Sequence, residues 1–116
     1  MFLRIDLLPI KGRSGLEYTF NVHPITLQLP PFGGVYFVAK MWPDPDRTDP
    51  AVGLIYLGRT KDLSRCLVGH NHRFPSGTNA PNAILSLQAE DEVAQAAIHL
   101  DLSHLLSPEQ QDAIPR

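Results

Sequence analysis

Cysteine is nearly absent from this chain: Cys66 is the single one among 116 residues. One cysteine excludes an internal disulfide and a cysteine-rich zinc site. Long apolar runs are missing too, because no stretch approaches the roughly 18 residues that a membrane-spanning helix needs. The opening MFLRIDLLPI has an apolar run too short, and interrupted by Arg4 and Asp6, to act as a secretory signal. We therefore expect a protein of the reducing cytoplasm with no membrane association.

Charge is unevenly distributed, although the formal net charge is only −2. Residues 59–73 include four basic residues and one acidic residue, a local net charge of +3. Residues 89–115 include six acidic residues and no lysine or arginine, a local net charge of −6. The low overall charge predicts no strong general affinity for nucleic acid. The local excess of basic residues predicts that any phosphate-binding surface lies around residues 59–73. A solvated helix face is the alternative interpretation of the same basic residues.

The composition is that of one ordinary globular domain. Hydrophobic residues make up 43% and charged residues 19% of the chain, and its length suits a single core. The eleven prolines fall mainly in connections such as QLPPFGG and WPDPDRTDP. Proline lacks a backbone donor and interrupts regular structure, so these segments are expected to be loops.

Five segments have the composition of strands: 2–8, 17–22, 34–42, 54–58 and 83–89. The turn KGRSG joins the first two into an N-terminal hairpin. The third is dense in apolar and aromatic residues and is expected to be central. The fourth is expected to be buried and to end at Gly58. The fifth is expected to lie at an edge of the sheet.

Two segments predict helices, TKDLSRCLVGH at residues 60–70 and a longer one at residues 90–106. Thr60 or Asp62 can cap the first, because a side-chain oxygen accepts from the free backbone N–H groups of a helix start. The second has acidic residues in its first turn, where the helix dipole favours them. Hairpins, a short open sheet and packed helices together place the chain in the α+β class.

Two strand motifs occur in order, GVY at residues 34–36 and IYLG at residues 55–58, followed by TKDL and a predicted helix that ends in His70. This set resembles the motifs of the GIY-YIG nuclease superfamily, which includes homing endonucleases, excision-repair nuclease subunits and some restriction enzymes. The ordered set is more specific than either triplet, because a strand tyrosine near a glycine is common. The resemblance covers residues 29–106.

The resemblance implies a small antiparallel sheet of about three central strands, flanked by helices. Residues 29–106 would form this core, with residues 1–28 as an added N-terminal hairpin and residues 107–116 as a tail. Members of the superfamily cut phosphodiester bonds with one divalent metal, so Mg²⁺ or Mn²⁺ would be the cofactor of an active protein.

The resemblance also assigns roles to three residues that agree with the family pattern. Tyr36 would help to activate or position the attacking water. Tyr56 would line the same pocket and support the site by hydrogen bonding. His70 would complete the tyrosine network from the helix.

Other positions depart from the pattern. Cys66 stands where the family usually has the arginine that neutralises the scissile phosphate. Arg59, directly after the YLG turn, and Arg65, about 100° around a helix from that position, are candidate substitutes. The family's final asparagine is replaced by Gln110 or Gln111.

The metal-binding glutamate of the family corresponds here to His99. Imidazole is a poor ligand for Mg²⁺, which prefers hard oxygen ligands. Glu92 lies two helical turns earlier on the same helix face and is the candidate metal ligand.

Two functions of different class follow. The first is a metal-dependent endonuclease with an altered site, formed by Tyr36, Tyr56, Arg59 or Arg65, and His70. The second is a catalytically inactive module on the same fold that binds nucleic acid, DNA rather than RNA, or a protein partner. The expected oligomeric state is a monomer or a homodimer.

Three side-chain types also allow other interpretations. Cys66 is either a redox thiol, with a pKa lowered by Arg65, or a core residue; a thiol in an apolar stripe favours the core. Trp42 either stacks on a base or closes the sheet edge. Four histidines either bind zinc or are polar surface: His70, His72, His99 and His104.

Overall fold

The computed structural model describes residues 7–25, 29–46, 50–66 and 80–110, which form a curled, five-stranded antiparallel sheet and one C-terminal α-helix. The strands are β1 Leu7–Lys11, β2 Glu17–Pro24, β3 Gly34–Trp42, β4 Ala51–Thr60 and β5 Ala83–Gln88. Helix α1 spans Glu92–Leu102. Within these ranges the α+β class is confirmed, whereas a sheet flanked by several helices is not found. No described helix has the length and apolar character needed to cross a membrane.

The spatial order of the strands is β1-β2-β5-β3-β4, so β5 pairs with β2 on one side and β3 on the other. The expected N-terminal hairpin is present as β1 and β2, and it continues the same sheet through β5. Its first strand runs on to Lys11, beyond the predicted end at residue 8, and residues 2–6 lie outside the described ranges. The prediction of β5 as an edge strand was wrong. A strand paired on both sides and covered on both faces needs apolar side chains on both, and buried Ala83, Ile84 and Leu85 supply them.

Strand β3 is central, as its composition predicted, with residues 34–39 all buried. Strand β4 lies beside it at the end of the strand order and does not end at Gly58. It continues to Thr60, because Arg59 and Thr60 pair with Val35 and Gly34 of β3. Because Arg59 belongs to the strand, the alternation of side chains decides which face of the sheet it occupies.

A bulge interrupts the pairing of β3 and β4. Val38 pairs with Tyr56 and the next residue, Ala39, pairs with Leu54, so Ile55 has no direct partner in the register. Strict alternation would place Leu54 on the same face as Tyr56. The extra residue instead brings Leu54 to the face of Leu57, in the core beneath α1.

The prediction of a helix at residues 60–70 was wrong over the part that the structure describes. Thr60 is the last residue of β4, and a single 3-10 turn at Leu63–Arg65 follows. Asp62 caps this turn by accepting from the backbone N–H of Ser64 at 3.0 Å, so the capping signal in the sequence was genuine. Residues 67–70 lie outside the described ranges.

The sheet has a core on each face. On the face beneath α1, Phe20, Val35, Phe37 and Leu85 pack with Leu102 of the helix. The predicted long helix at residues 90–106 is shorter, because α1 ends at Leu102 and a 3-10 turn at residues 103–105 follows it. The opposite face carries the second core, which contains the two tyrosines.

A clamp between Asp101 and the β1–β2 turn attaches α1 to the hairpin. The Asp101 carboxylate accepts from the Ser14 backbone N–H at 2.8 Å, the Ser14 hydroxyl at 2.6 Å and the Tyr18 hydroxyl at 2.8 Å. The Arg13 N–H donates to the Asp101 carbonyl at 2.8 Å. Gly12 lies against the carboxylate, where a Cβ would overlap it. The hydrogen bonds from Ser14, and then that from Tyr18, lower the pKa of Asp101.

The clamp predicts an acid-dependent part of the stability. A carboxylate whose folded-state pKa is below the unfolded value of about 3.9 stabilises the protein fully above that value, and its contribution is lost as pH falls through the folded-state pKa. Asp101→Asn should therefore lower the urea midpoint at pH 7 and flatten its decline in acid. Glu17→Gln, which removes an exposed carboxylate from the neighbouring strand, is the control. An unchanged acid profile for Asp101→Asn would contradict the clamp.

Candidate functional site

Tyr36 and Tyr56 lie on neighbouring strands and face the same side of the sheet. Their ring centroids are 6.4 Å apart, with 31° between the ring planes. Tyr36 pairs directly with Gly58 and Tyr56 with Val38, so the two tyrosines are diagonal neighbours across β3 and β4. The structure thus brings together the two residues that the motifs singled out.

Gly58 makes this arrangement possible. A Cβ at Gly58 would overlap the ring and hydroxyl of Tyr36, so the Tyr36 phenol crosses β4 over the bare backbone of this glycine. A glycine within a strand commonly marks such a close approach. The glycine of the YLG motif therefore leaves space for the Tyr36 ring. It lies within a strand and does not form a turn.

The tyrosine face is covered within the described residues. Tyr36 is 2% exposed and Tyr56 is 4% exposed. They pack in one cluster with Leu29 from the segment after β2 and with Leu63 and Cys66 from the turn after β4. The rings are therefore core residues as well as candidate site residues.

Cys66 stands at the position where the resemblance predicted an arginine. Its side chain is 6% exposed, and burial raises the pKa of the thiol to about 11. Asp62 raises it further, which is opposite to the lowering expected from Arg65. The thiol is protonated at neutral pH and packs in the core, as the apolar-stripe interpretation predicted.

Arg59 lies on the other face of the sheet from the tyrosines. It pairs directly with Val35, whose side chain is in the core beneath α1, and directly paired residues share a face. Its charge acts on Glu92 of that helix. The structure thus separates Arg59 from Tyr36 and Tyr56.

Glu92 lies in the first turn of α1, beside the segment that follows β4. Its carboxylate forms an exposed ion pair with Lys61 at 2.9 Å. The Lys61 ammonium, followed by Arg59, lowers the pKa of Glu92. The two preceding carboxylates are engaged locally: Glu90 accepts from the Gly33 N–H at 3.2 Å, and Asp91 caps α1 through the Val93 N–H.

Glu92, the carboxylate predicted to bind the metal, is paired with Lys61. Mg²⁺ sites that act on phosphates commonly use one or two carboxylates, with water and substrate oxygens as the other ligands. Over the ranges that the structure describes, no three acidic, histidine or cysteine side chains are grouped to hold a metal. His99, which the resemblance aligned with a metal-binding glutamate, is fully buried in α1. No catalytic step through Glu92 follows from this geometry.

Arg65 is the candidate cation that stays on the tyrosine side. It ends the 3-10 turn whose Leu63 and Cys66 pack against the tyrosines, and its side chain is exposed. The Leu63 N–H donates to the Phe32 carbonyl at 2.7 Å, so this turn lies beside Phe32, which is 42% exposed. Arg65 and Phe32 thus belong to neighbouring segments, and both side chains are exposed.

The C-terminal part of the described chain reaches the bulge of β4. The Gln110 Nε2 donates to the Ile55 carbonyl at 3.2 Å, and its Oε1 accepts from the Ser107 hydroxyl at 2.9 Å. Of the two glutamines proposed for the family's asparagine, Gln110 thus contacts the strand of Tyr56. Gln111 and His70 lie outside the described residues.

Two polar residues of this face were missed by the sequence interpretation. Ser86 of β5 pairs with Tyr36 and is 5% exposed, and its hydroxyl lies 3.0 Å from His23 Nε2 on β2. Burial lowers the pKa of His23, which favours its neutral form. A serine in the otherwise apolar run AILSL was the available signal. The pair satisfies both polar groups within the sheet.

Comparison of the chain with protein-family models, with curated proteins and with solved structures finds no match. The likeness to the GIY-YIG superfamily therefore stays a prediction from the sequence motifs.

The close approach of Tyr36 to Gly58 predicts a large effect of one methyl group. Gly58→Ala should destabilise the fold by about 1–3 kcal/mol, because the ring cannot move away within a packed core. The cost should shrink in a Tyr36→Leu background, which is measured as a coupling energy in a double-mutant cycle. The control is Gly53→Ala, whose Cβ would lie 3.3 Å from the half-exposed Trp42 ring. An equal cost at both glycines would contradict the explanation.

Burial of the Cys66 thiol predicts slow modification. A pKa of about 11 leaves roughly two orders of magnitude less thiolate at pH 8 than an ordinary cysteine has. Labelling by a disulfide reagent should be slower by at least that factor in the native protein than in urea. Thr19→Cys in a Cys66→Ala background supplies an exposed thiol as the reference. Labelling of native Cys66 at the reference rate would contradict its burial.

Proposed function

We propose that the chain is a GIY-YIG-like module that binds nucleic acid without cleaving it. The proposal takes the second of the two functions that the sequence suggested. It rests on the placement of the groups that phosphodiester cleavage needs: an activated water, a cation at the phosphate and, usually, a metal.

The observation that carries the proposal is the separation of those groups. Tyr36 and Tyr56 are buried on one face of the sheet, whereas Arg59 and Glu92 lie on the side of α1. The position expected to hold the phosphate arginine has a buried, protonated thiol, which offers neither charge nor a bidentate donor. The tyrosines then serve the packing of the sheet.

The surface that supports binding is the one formed by Phe32, Lys61 and Arg65. The Lys61 side chain is 83% exposed and pairs with Glu92, and Arg65 and Phe32 are exposed on neighbouring segments. An exposed ion pair is weak, so the Lys61 ammonium can exchange Glu92 for a phosphate. The Asp62 carboxylate between them accepts from the Ser64 N–H and hydroxyl, so it is turned into the 3-10 turn. Cations that contact phosphates, next to a ring that stacks on a base, are the elements of single-strand recognition.

A metal-dependent endonuclease is the second candidate. The observation in its favour is the convergence of the two tyrosines at 6.4 Å, with the exposed Arg65 on the turn that covers them. In that case Arg65 would contact the phosphate, and the tyrosine network would have to open toward the substrate.

One experiment separates the two candidates. The protein is incubated with plasmid, single-stranded and structured nucleic acids in Mg²⁺, Mn²⁺ or chelator, and its binding to the same substrates is followed by fluorescence anisotropy. We expect binding without cleavage, with an affinity that falls as salt rises. Arg65→Ala and Lys61→Ala should each reduce the salt slope by about 1, and Phe32→Ala should cost about 1–3 kcal/mol of binding free energy.

Trp42→Ala is the matched control, because Trp42 is equally exposed but lies at the opposite end of β3 from Phe32. Metal-dependent cleavage that disappears with Tyr36→Phe would overturn the proposal in favour of the nuclease. A folded protein that binds none of the substrates would overturn nucleic-acid binding and leave a protein partner as the function.

A further inference from the structure

An acidic side chain at the start of α1 contacts the surface proposed to bind nucleic acid. That surface, called the binding surface below, consists of Phe32, Lys61 and Arg65. The Glu92 carboxylate lies 2.9 Å from the Lys61 ammonium, and both side chains are largely exposed. A negative group of the protein therefore holds one of the cations that a phosphate would contact.

Hydrogen bonds fix the position of the segment that carries Glu92. The Ala89 N–H donates to the Gly33 carbonyl at 2.9 Å, and the Gly33 N–H donates to the Glu90 carboxylate at 3.2 Å. Gln95 is 4% exposed, and its side-chain amide donates to the Ala89 carbonyl at 2.6 Å. These bonds attach the start of α1 to the loop that carries the aromatic ring of the binding surface. Glu92 is thus held beside the ammonium of that surface.

The other carboxylates of this region bond to the backbone. Asp62 accepts from an N–H and a hydroxyl of the 3-10 turn that it caps, and Asp91 accepts from an N–H in the first turn of α1. Glu90 accepts from the N–H of the loop before β3. Glu92 pairs with a side-chain cation instead. Of these four carboxylates, it is therefore the one that can leave its partner without opening a cap or a loop.

We infer that Glu92 is an autoinhibitory residue of the binding surface: its carboxylate takes the place of a phosphate on Lys61, and a bound strand displaces it. The inference rests on the proposed function and adds a regulatory contact to it. The Lys61 ammonium, and after it Arg59, lower the pKa of Glu92. The carboxylate is therefore ionised at neutral pH and competes with a phosphate as a full negative charge.

The contact favours ligands that use the whole binding surface. An exposed ion pair is weak, so a strand that also contacts Arg65 and stacks on Phe32 can displace the carboxylate. A single phosphate gains neither of these contacts and competes with a carboxylate that belongs to the same chain. We therefore expect small anions to bind poorly and single-stranded nucleic acid to bind better.

Fluorescence anisotropy with a labelled single-stranded oligonucleotide tests the inference. At low salt, Glu92→Gln should lower the dissociation constant by about two- to fivefold, because the Lys61 ammonium no longer has to leave a carboxylate. The gain should shrink as salt rises, since salt screens an exposed pair. In a Lys61→Gln background the same substitution should have much less effect, because the cation that Glu92 holds is absent.

Glu17→Gln is the matched control and should leave the dissociation constant unchanged. It makes the same substitution at an exposed residue of β2, which β5 and β3 separate from β4 in the sheet. Thermal unfolding confirms that each variant is folded.

The outcomes separate the inference from the proposed function. If the native chain binds and Glu92→Gln binds no more tightly, the inference is overturned and the proposed function stands. A gain of equal size in the Lys61→Gln background would also overturn the inference, because it would be an effect of net charge alone. Absence of binding by both the native chain and Glu92→Gln would overturn the proposed function, and the inference with it.

Discussion

The architecture depends on the pairing of β5 with both halves of the sheet. The hairpin β1–β2 and the pair β3–β4 are each local in sequence, and β5 is the strand that joins them. Ser86 is paired with Asn21 on one side and with Tyr36 on the other. Such contacts close long loops, so they form at a higher entropic cost than the hairpins do. Without β5, each half would expose an unpaired edge and an uncovered apolar face.

This central pairing also divides the molecule into two faces with different chemistry. One face packs against α1, and Arg59 of the sheet acts on Glu92 of this helix. The other contains the two tyrosines, the Cys66 thiol and the Ser86–His23 pair. The backbone of the sheet lies between the side chains of its two faces, so side chains on opposite faces cannot contact the same phosphate. The distribution of side chains between faces therefore decides what the motifs can do.

Helix α1 is attached by its ends and by a limited apolar contact. Asp101 fixes its C-terminal end to the hairpin through three hydrogen bonds, and Glu92 and Lys61 form an ion pair at its N-terminal end. An exposed ion pair of this kind contributes little to stability, so the clamp at Asp101 is the more important attachment. With its position set in this way, the helix buries Gln95, His99 and Leu102 and leaves Val93 and Leu100 exposed.

Much of the fold and part of the candidate site followed from local sequence. The hairpin, the central strand β3, the cap at Asp62 and the core position of Cys66 depend on neighbours within a few residues, whose chemistry the sequence displays directly. Tyr36 and Tyr56 were expected to lie near each other, because the motifs placed both on strands of one small sheet. The alternation of β4 would also have separated Arg59 from Tyr56, had the strand been extended beyond Gly58.

The remaining features depend on partners that are distant in sequence. The sequence by itself determined the α+β class, the hairpins and which residues prefer burial, because these follow from backbone propensity and side-chain polarity. Only the tertiary structure decided that β5 is internal and that the bulge at Ile55 moves Leu54 to the face beneath the helix. It also decided that Thr60 ends a strand and that one 3-10 turn, not a helix, follows it. Each depends on pairing between strands, and a shift of one residue in that pairing exchanges the two faces of a strand.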